Sequence, residues 1–88
     1  MVYITARHME GGARHEHIAS VRWRNPSDNS TGQSARAEMV RWIDAGGAAR
    51  VSDGTTEVAV GVVRGSPPYI RTYADGKWTD NLLALPEF

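Results

Sequence analysis

The chain has 88 residues, no cysteine and a formal net charge of zero. At that length it supports a single hydrophobic core, so most apolar side chains are committed to packing and few remain to wall a deep active site. Without thiols there is neither a disulfide framework nor a thiolate metal site, and the balanced charge argues against a general binder of nucleic acid or anionic membranes.

No apolar run approaches the ~20 residues of a membrane-spanning helix, and MVYITARHME lacks the apolar stretch and small-residue site of a secretory signal. The expectation is a soluble cytoplasmic protein of one domain, residues 1–88. Every basic residue except Lys77 is arginine. That bias fits a GC-rich genome as readily as bidentate recognition of an anion. Arg7, Arg14, Arg22 and Arg24 lie near the start and Asp75, Asp80 and Glu87 near the end, so the two ends are expected to pair within the fold.

Val2, Ile4 and Ala6 alternate with Tyr3, Thr5 and Arg7, the period of a half-buried strand. A second alternating run covers Ile18 to Trp23, after Gly11-Gly12. A two-residue type I′ turn at the glycine pair faces His8 with His15, Ala6 with His17, Ile4 with Ala19 and Val2 with Val21. This register, or a four-residue loop of the same parity, gathers Val2, Ile4, Ala6, Ala19, Val21 and Trp23 on one face. NPSDNSTG, residues 25–32, is a loop by composition.

Ser34 is the expected N-cap of the one helix, residues 35–45, whose apolar side is Ala35, Met39, Trp42 and Ile43. The capping box is imperfect, because three residues after Ser34 stands Ala37 and the glutamate comes one later. Gly46 or Gly47 ends the helix in a left-handed conformation. Residues 48–52 and 55–63 flank Asp53-Gly54, a strong hairpin signal, and Val58, Val60 and Val62 share a face. Pro67-Pro68 breaks the run, and Tyr69 to Tyr73 forms the fifth strand. Asp75-Gly76 turns the chain, and Thr79 or Asp80 caps one helical turn through Leu83 before Pro86. The expected fold is α+β in the order ββαβββ: a five-stranded antiparallel or mixed sheet with one helix packed on it. Trp78, Leu82, Leu83, Leu85 and Phe88 form an apolar tail that must fold back over the core.

ADGKWTDNLLALP near the end, MEGGARHEHI near the start and MVRWIDAGG between them resemble DUF3892, a family of small bacterial proteins grouped as a domain of unknown function. The resemblance spans nearly the whole chain and implies no activity, ligand or site residue.

Four constellations bear on chemistry. His8, His15 and His17 are all the histidines, and the hairpin register puts them on one face, where His-x-His on a strand has metal-ligand spacing. The competing arrangement has imidazoles satisfied separately at a sheet margin, and no metal is expected to be needed for folding. Arg22-Trp23-Arg24 has the composition of a nucleic-acid patch, yet strand parity turns Trp23 away from both arginines. Asp75, Asp80 and Glu87 lie near an aromatic, but the first two have structural tasks in a turn and a cap. No nucleophile, base and acid set assembles, so no enzyme and no cofactor are expected. Finally, if Ile70 faces the helix, Tyr69, Arg71 and Tyr73 form an outward stripe of the residue types enriched at binding hot spots. If the strand turns over, both tyrosines are buried and Arg71 pairs with an acid such as Asp80. The expected function is a small protein-interaction module, acting on a protein partner or by self-association; the alternative is a nucleic-acid module using Arg22, Arg24 and the aromatics. No membrane partner is expected.

Overall fold

Val2, Ile4 and Ala6 alternate strongly enough to carry a strand buried on one face, and that strand lies inside the sheet, third of its seven strands. The computed structural model describes residues 1–88. Its elements are β1 (Val2–Met9), β2 (Ile18–Arg24), β3 (Thr31–Ala35), α1 (Arg36–Asp44), β4 (Ala49–Ser52), β5 (Glu57–Val63), β6 (Tyr69–Ala74) and β7 (Lys77–Thr79), with short 3-10 turns at His15–His17 and Asn81–Ala84. One sheet runs in the order β3-β2-β1-β4-β5-β6-β7. Neighbours are antiparallel except β1 and β4, which run parallel at Val2 and Tyr3. The fold is therefore α+β with one helix and a mixed sheet, as expected. The sheet has seven strands rather than five, and the element order is βββαββββ rather than ββαβββ.

The first extra strand, β3, has no large apolar residue because its partner supplies the bulk. Gly32 and Ser34 are half-buried. The Trp23 ring lies across Gly32, where a Cβ would come within 2.3 Å of Cζ2, and Trp23 Nε1–H donates to Ser34 Oγ at 3.0 Å. The second extra strand, β7, follows a two-residue turn in which Asp75 (φ 54°) and Gly76 (φ 76°) are both left-handed, the type I′ signature. Ala74 then pairs with Lys77, and Tyr73 with Trp78.

The tight turn expected at Gly11-Gly12 is not formed. A longer loop closes where Glu10 N–H donates to His17 O at 2.9 Å, and it holds the 3-10 turn His15–His17. The register shifts accordingly: Met9 pairs with Ile18, His8 with Ser20 and Ile4 with Trp23, with irregularities between Ile4 and Ala6 and between His8 and Met9. Such bulges change strand phase, and Ile18, which the simple register left off the core face, is fully buried.

The N-cap of α1 is Ala35, not Ser34. Glu38 thereby stands at the third helical position, and its Oε1 accepts the Ala35 N–H at 2.9 Å. This is half of a capping box, since Ala35 has no side-chain acceptor to complete it. At the other end Gly47 N–H donates to Trp42 O and Gly46 N–H to Ile43 O, with Gly46 at φ 105°: a Schellman termination. The buried helical side chains are Met39 and Val40, with Ile43 packed beside them. Trp42 is 38% exposed and Ala35 precedes the helix, so the apolar stripe is rotated from the expected one.

Ser52 pairs with Glu57, making 53–56 a four-residue loop. Asp53 Oδ1 accepts the N–H groups of Thr56 (2.7 Å) and Thr55 (2.9 Å), and those bonds, Thr56 foremost, hold its carboxyl below the usual range. The core is centred on Ile4, Ile18, Val21, Ile70 and Leu82, with Val58 and Val60 also buried.

Residues 80–88 do fold back over this core. Leu82 is fully enclosed, while Leu83 and Leu85 pack against its margin. Asp80 stands at the N-cap of the turn that follows it, but its side chain makes no capping bond. Thr72 anchors that turn instead: its Oγ1 accepts from Asn81 N–H (3.2 Å) and Thr79 Oγ1 (2.7 Å) and donates to Thr79 O (3.1 Å). Farther on, Arg7 N–H donates to Pro86 O (2.9 Å) and Phe88 N–H to Arg7 O (3.0 Å). The tail thus occupies the edge of β1 that β4 leaves free beyond Tyr3. Trp78 stays outside, 46% exposed.

Candidate functional site

Strand parity in β6 decides what faces solvent. Ile70 and Thr72 are fully buried, so Tyr69, Arg71 and Tyr73 stand on the opposite face. Arg71 is nevertheless engaged: its Nε donates to Thr79 O at 3.1 Å and its Nη2 to Asp80 Oδ1 at 2.8 Å. The stripe is outward, as the first arrangement requires, and Arg71 pairs with Asp80, as the second does.

The centre of this face is a residue pair rather than a stripe. Tyr73 and Trp78 are cross-strand partners whose rings meet edge to face, with centroids 5.9 Å apart and planes at 78°. A Cβ at Gly61 would lie 3.1 Å from Tyr73 Cε1, so the glycine lets the rings settle close to the sheet. Their exposures are 43% for Tyr73 and 46% for Trp78.

Register extends the same face across the sheet. Arg24 pairs with Tyr3, Tyr3 with Arg50, Arg50 with Ala59 and Ala59 with Tyr73. The Arg24 guanidinium sits 5.3 Å from the centre of the Tyr3 ring. Tyr3 Oη donates to Glu57 Oε2 at 3.0 Å, and that bond raises the phenol above its usual range. Arg22 lies 4.2 Å over the Phe88 ring. Trp23 is half-buried against the core, so Arg22-Trp23-Arg24 presents two arginines outward and its indole inward.

The histidines do not share a face. The expectation assumed a strand through His15 and His17, but a 3-10 turn carries them, and i, i+2 parity does not hold there. His8 bonds through Nδ1 to the main-chain oxygen of Phe88 and lies tilted against its ring, with centroids 5.7 Å apart. Nδ1 of His17 accepts the Arg14 N–H at 3.3 Å. His15 turns inward; its Nε2 has no hydrogen-bond partner and lies 3.8 Å from Asp80 Oδ1. No group of three or more His, Asp or Glu side chains is placed to hold a metal ion.

Burial, then the nearby Arg71 cation, lowers the His15 pKa below its ordinary 6.5, against the opposing pull of Asp80 and Glu16. The unfolded chain therefore takes up this proton first as the pH falls. The stability linked to His15 is complete above the unfolded pKa and is lost as the pH drops from there toward the folded value. Melting curves recorded from neutral to mildly acidic pH should show that loss, and His15→Leu should flatten it; an unchanged slope in the variant would assign the effect to other groups.

Trp78, Tyr3 and Arg50 were not singled out for this face from the sequence. Reflecting Tyr73 through a two-residue turn at Asp75-Gly76 finds Trp78, and the alternation in VYITAR already turns Tyr3 outward. Arg50 required the parallel β1–β4 pairing, which no local signal announces. Among protein-family models, one described as Protein of unknown function (DUF3892) matches residues 3–86. No curated protein and no solved structure matches the chain.

Proposed function

The chain belongs to the DUF3892 family, and we propose that it is a non-catalytic protein-interaction module of the bacterial cytoplasm that docks a protein partner on the outward face of β5, β6 and β7. The observation that carries this reading is the Tyr73–Trp78 pair, two large aromatics held edge to face in solvent over Gly61. Buried at an interface, such rings give large contact area at low entropic cost, and each keeps a polar handle. The carboxylates near the aromatics support a non-catalytic role, because Asp80 is held by Arg71 and Glu87 by Arg7.

A second reading is favoured by the Arg24–Tyr3–Arg50 row, an aromatic between two guanidinium groups on three adjacent strands. That spacing suits a single-stranded nucleic acid whose base stacks on Tyr3 while its phosphates meet the arginines. Two double variants separate the readings. Tyr73→Ser with Trp78→Ser should abolish partner capture from the native cell and leave the melting temperature within a few degrees, while Arg24→Ala with Arg50→Ala leaves capture intact. If instead the arginine pair abolishes binding, and retention on heparin falls steeply with salt, the nucleic-acid reading replaces the first. A sedimenting dimer lost in the aromatic variant would make the partner a second copy of the chain.

A further inference from the structure

Between α1 and the strands β1, β2 and β3 lies a half-open crevice of about 400 Å³, within the size range of small-molecule sites. Trp23 and Trp42 line it together with the buried Val2 and Met39, and Asn25 and Glu38 supply its polar groups. It is separate from the Tyr73–Trp78 surface.

Both indoles are seated on glycine. A Cβ at Gly32 would come within 2.3 Å of Trp23, and one at Gly47 within 2.3 Å of Trp42. Neither glycine has the positive φ found at Gly11, Gly46, Gly54 and Gly76, so the ring above it, not the backbone, excludes a side chain. Trp23 is fixed further by the bond from Nε1 to Ser34 Oγ. Trp42 is fixed although it is more than a third exposed, in a helix whose core side is Met39, Val40 and Ile43. Neither indole has an aromatic or cationic partner within the molecule.

The charge of the crevice selects an occupant. Glu38 uses Oε1 to accept the Ala35 N–H and forms no ion pair, which leaves a carboxylate in a crevice lined by two indoles, a side-chain type whose π face attracts cations. Acceptors for ammonium hydrogens are few, since Asn25 Oδ1 takes the Ser27 N–H, Ser34 Oγ takes the Trp23 N–H and Glu38 Oε1 takes the Ala35 N–H, so Glu38 Oε2 is the one side-chain oxygen of the lining that makes no bond. A fully methylated ammonium has no hydrogens to satisfy and sheds its water more readily than a primary ammonium, which must place three donors.

We propose that this crevice binds a methylated ammonium group, carried by a free choline-like molecule or by a trimethylated lysine of a protein. The full chain, 15N-labelled at its tryptophans, supplies the test. Its three indole N–H signals come from Trp23, Trp42 and Trp78, and Trp78 serves as an internal reference. Choline should shift the Trp23 and Trp42 signals saturably and leave Trp78 in place. The neutral isostere 3,3-dimethylbutanol should bind at least about tenfold more weakly, the share that the positive charge contributes over indole faces. Glu38→Gln keeps an oxygen for the Ala35 N–H and should lower choline affinity several-fold, and Trp42→Ala should abolish the response. A trimethyllysine peptide binding more tightly than choline would name a modified protein as the source, and the reverse order a free metabolite; either supports the site. Equal binding of the neutral isostere, tighter binding of a guanidinium than of choline, or no saturable shift with any cation would overturn it.

Discussion

Deletion of residues 79–88 should leave a chain with no cooperative unfolding transition. Leu82 is fully enclosed and Leu83 and Leu85 pack beside it. Full burial of one leucine contributes about 1.5–3 kcal/mol, against a total of about 5–15 kcal/mol for a whole domain. Polar losses compound the apolar ones: Thr72, itself fully buried, would lose its bonds with Thr79 and Asn81. Arg7 would exchange main-chain partners on both its N–H and its C=O for water, at a net cost of about 0.5–1.5 kcal/mol each. Thermal unfolding followed by circular dichroism decides the matter. A truncated chain that melts within a few degrees of the full one would show the tail to be an accessory.

Ile70→Ala should cost about 2–5 kcal/mol, the range for emptying an enclosed aliphatic site, which in a domain of this size lowers the melting temperature by at least about 8 °C. The same truncation three residues along the strand provides the contrast. Tyr73→Ala removes a larger side chain from the opposite, solvent-facing side of β6 and should cost under about 1 kcal/mol, mostly its contact with Trp78. If the two variants are destabilised alike, the parity on which the outward surface rests is wrong.

What could be read from the sequence was what short-range chemistry dictates. The alternation in VYITA, the valines of β5 and the helix with its glycine stop all depend on neighbours within a few positions. The misreadings arose where one element completes another. TGQSA looks like loop because its bulk is Trp23, borrowed from β2. Trp42 looks like core because the helical period alone does not reveal that Val40 takes that side. His15 and His17 look like paired ligands only while a strand is assumed through them. In the candidate surface, parity put Tyr69, Arg71 and Tyr73 on one face without showing which face is buried, and Arg50 joins it only through the β1–β4 pairing of residues 2 and 49.

That pairing, with the bridge between Arg7 and Glu87, has a kinetic consequence. The interior strand β1 is synthesised well before residues 86–88, yet one stretch of its edge waits for them. Until Pro86 and Phe88 emerge, the groups of Arg7 that they satisfy stay open to water or to other chains, so β1 holds an incomplete set of partners. Contacts of such long sequence separation carry a loop-closure cost before any return, which places folding toward the slower, millisecond-to-second end for small domains. In the interval β1 presents an unpaired edge flanked by Val2, Ile4 and Ala6, open to pairing with other chains until residues 86–88 close over it.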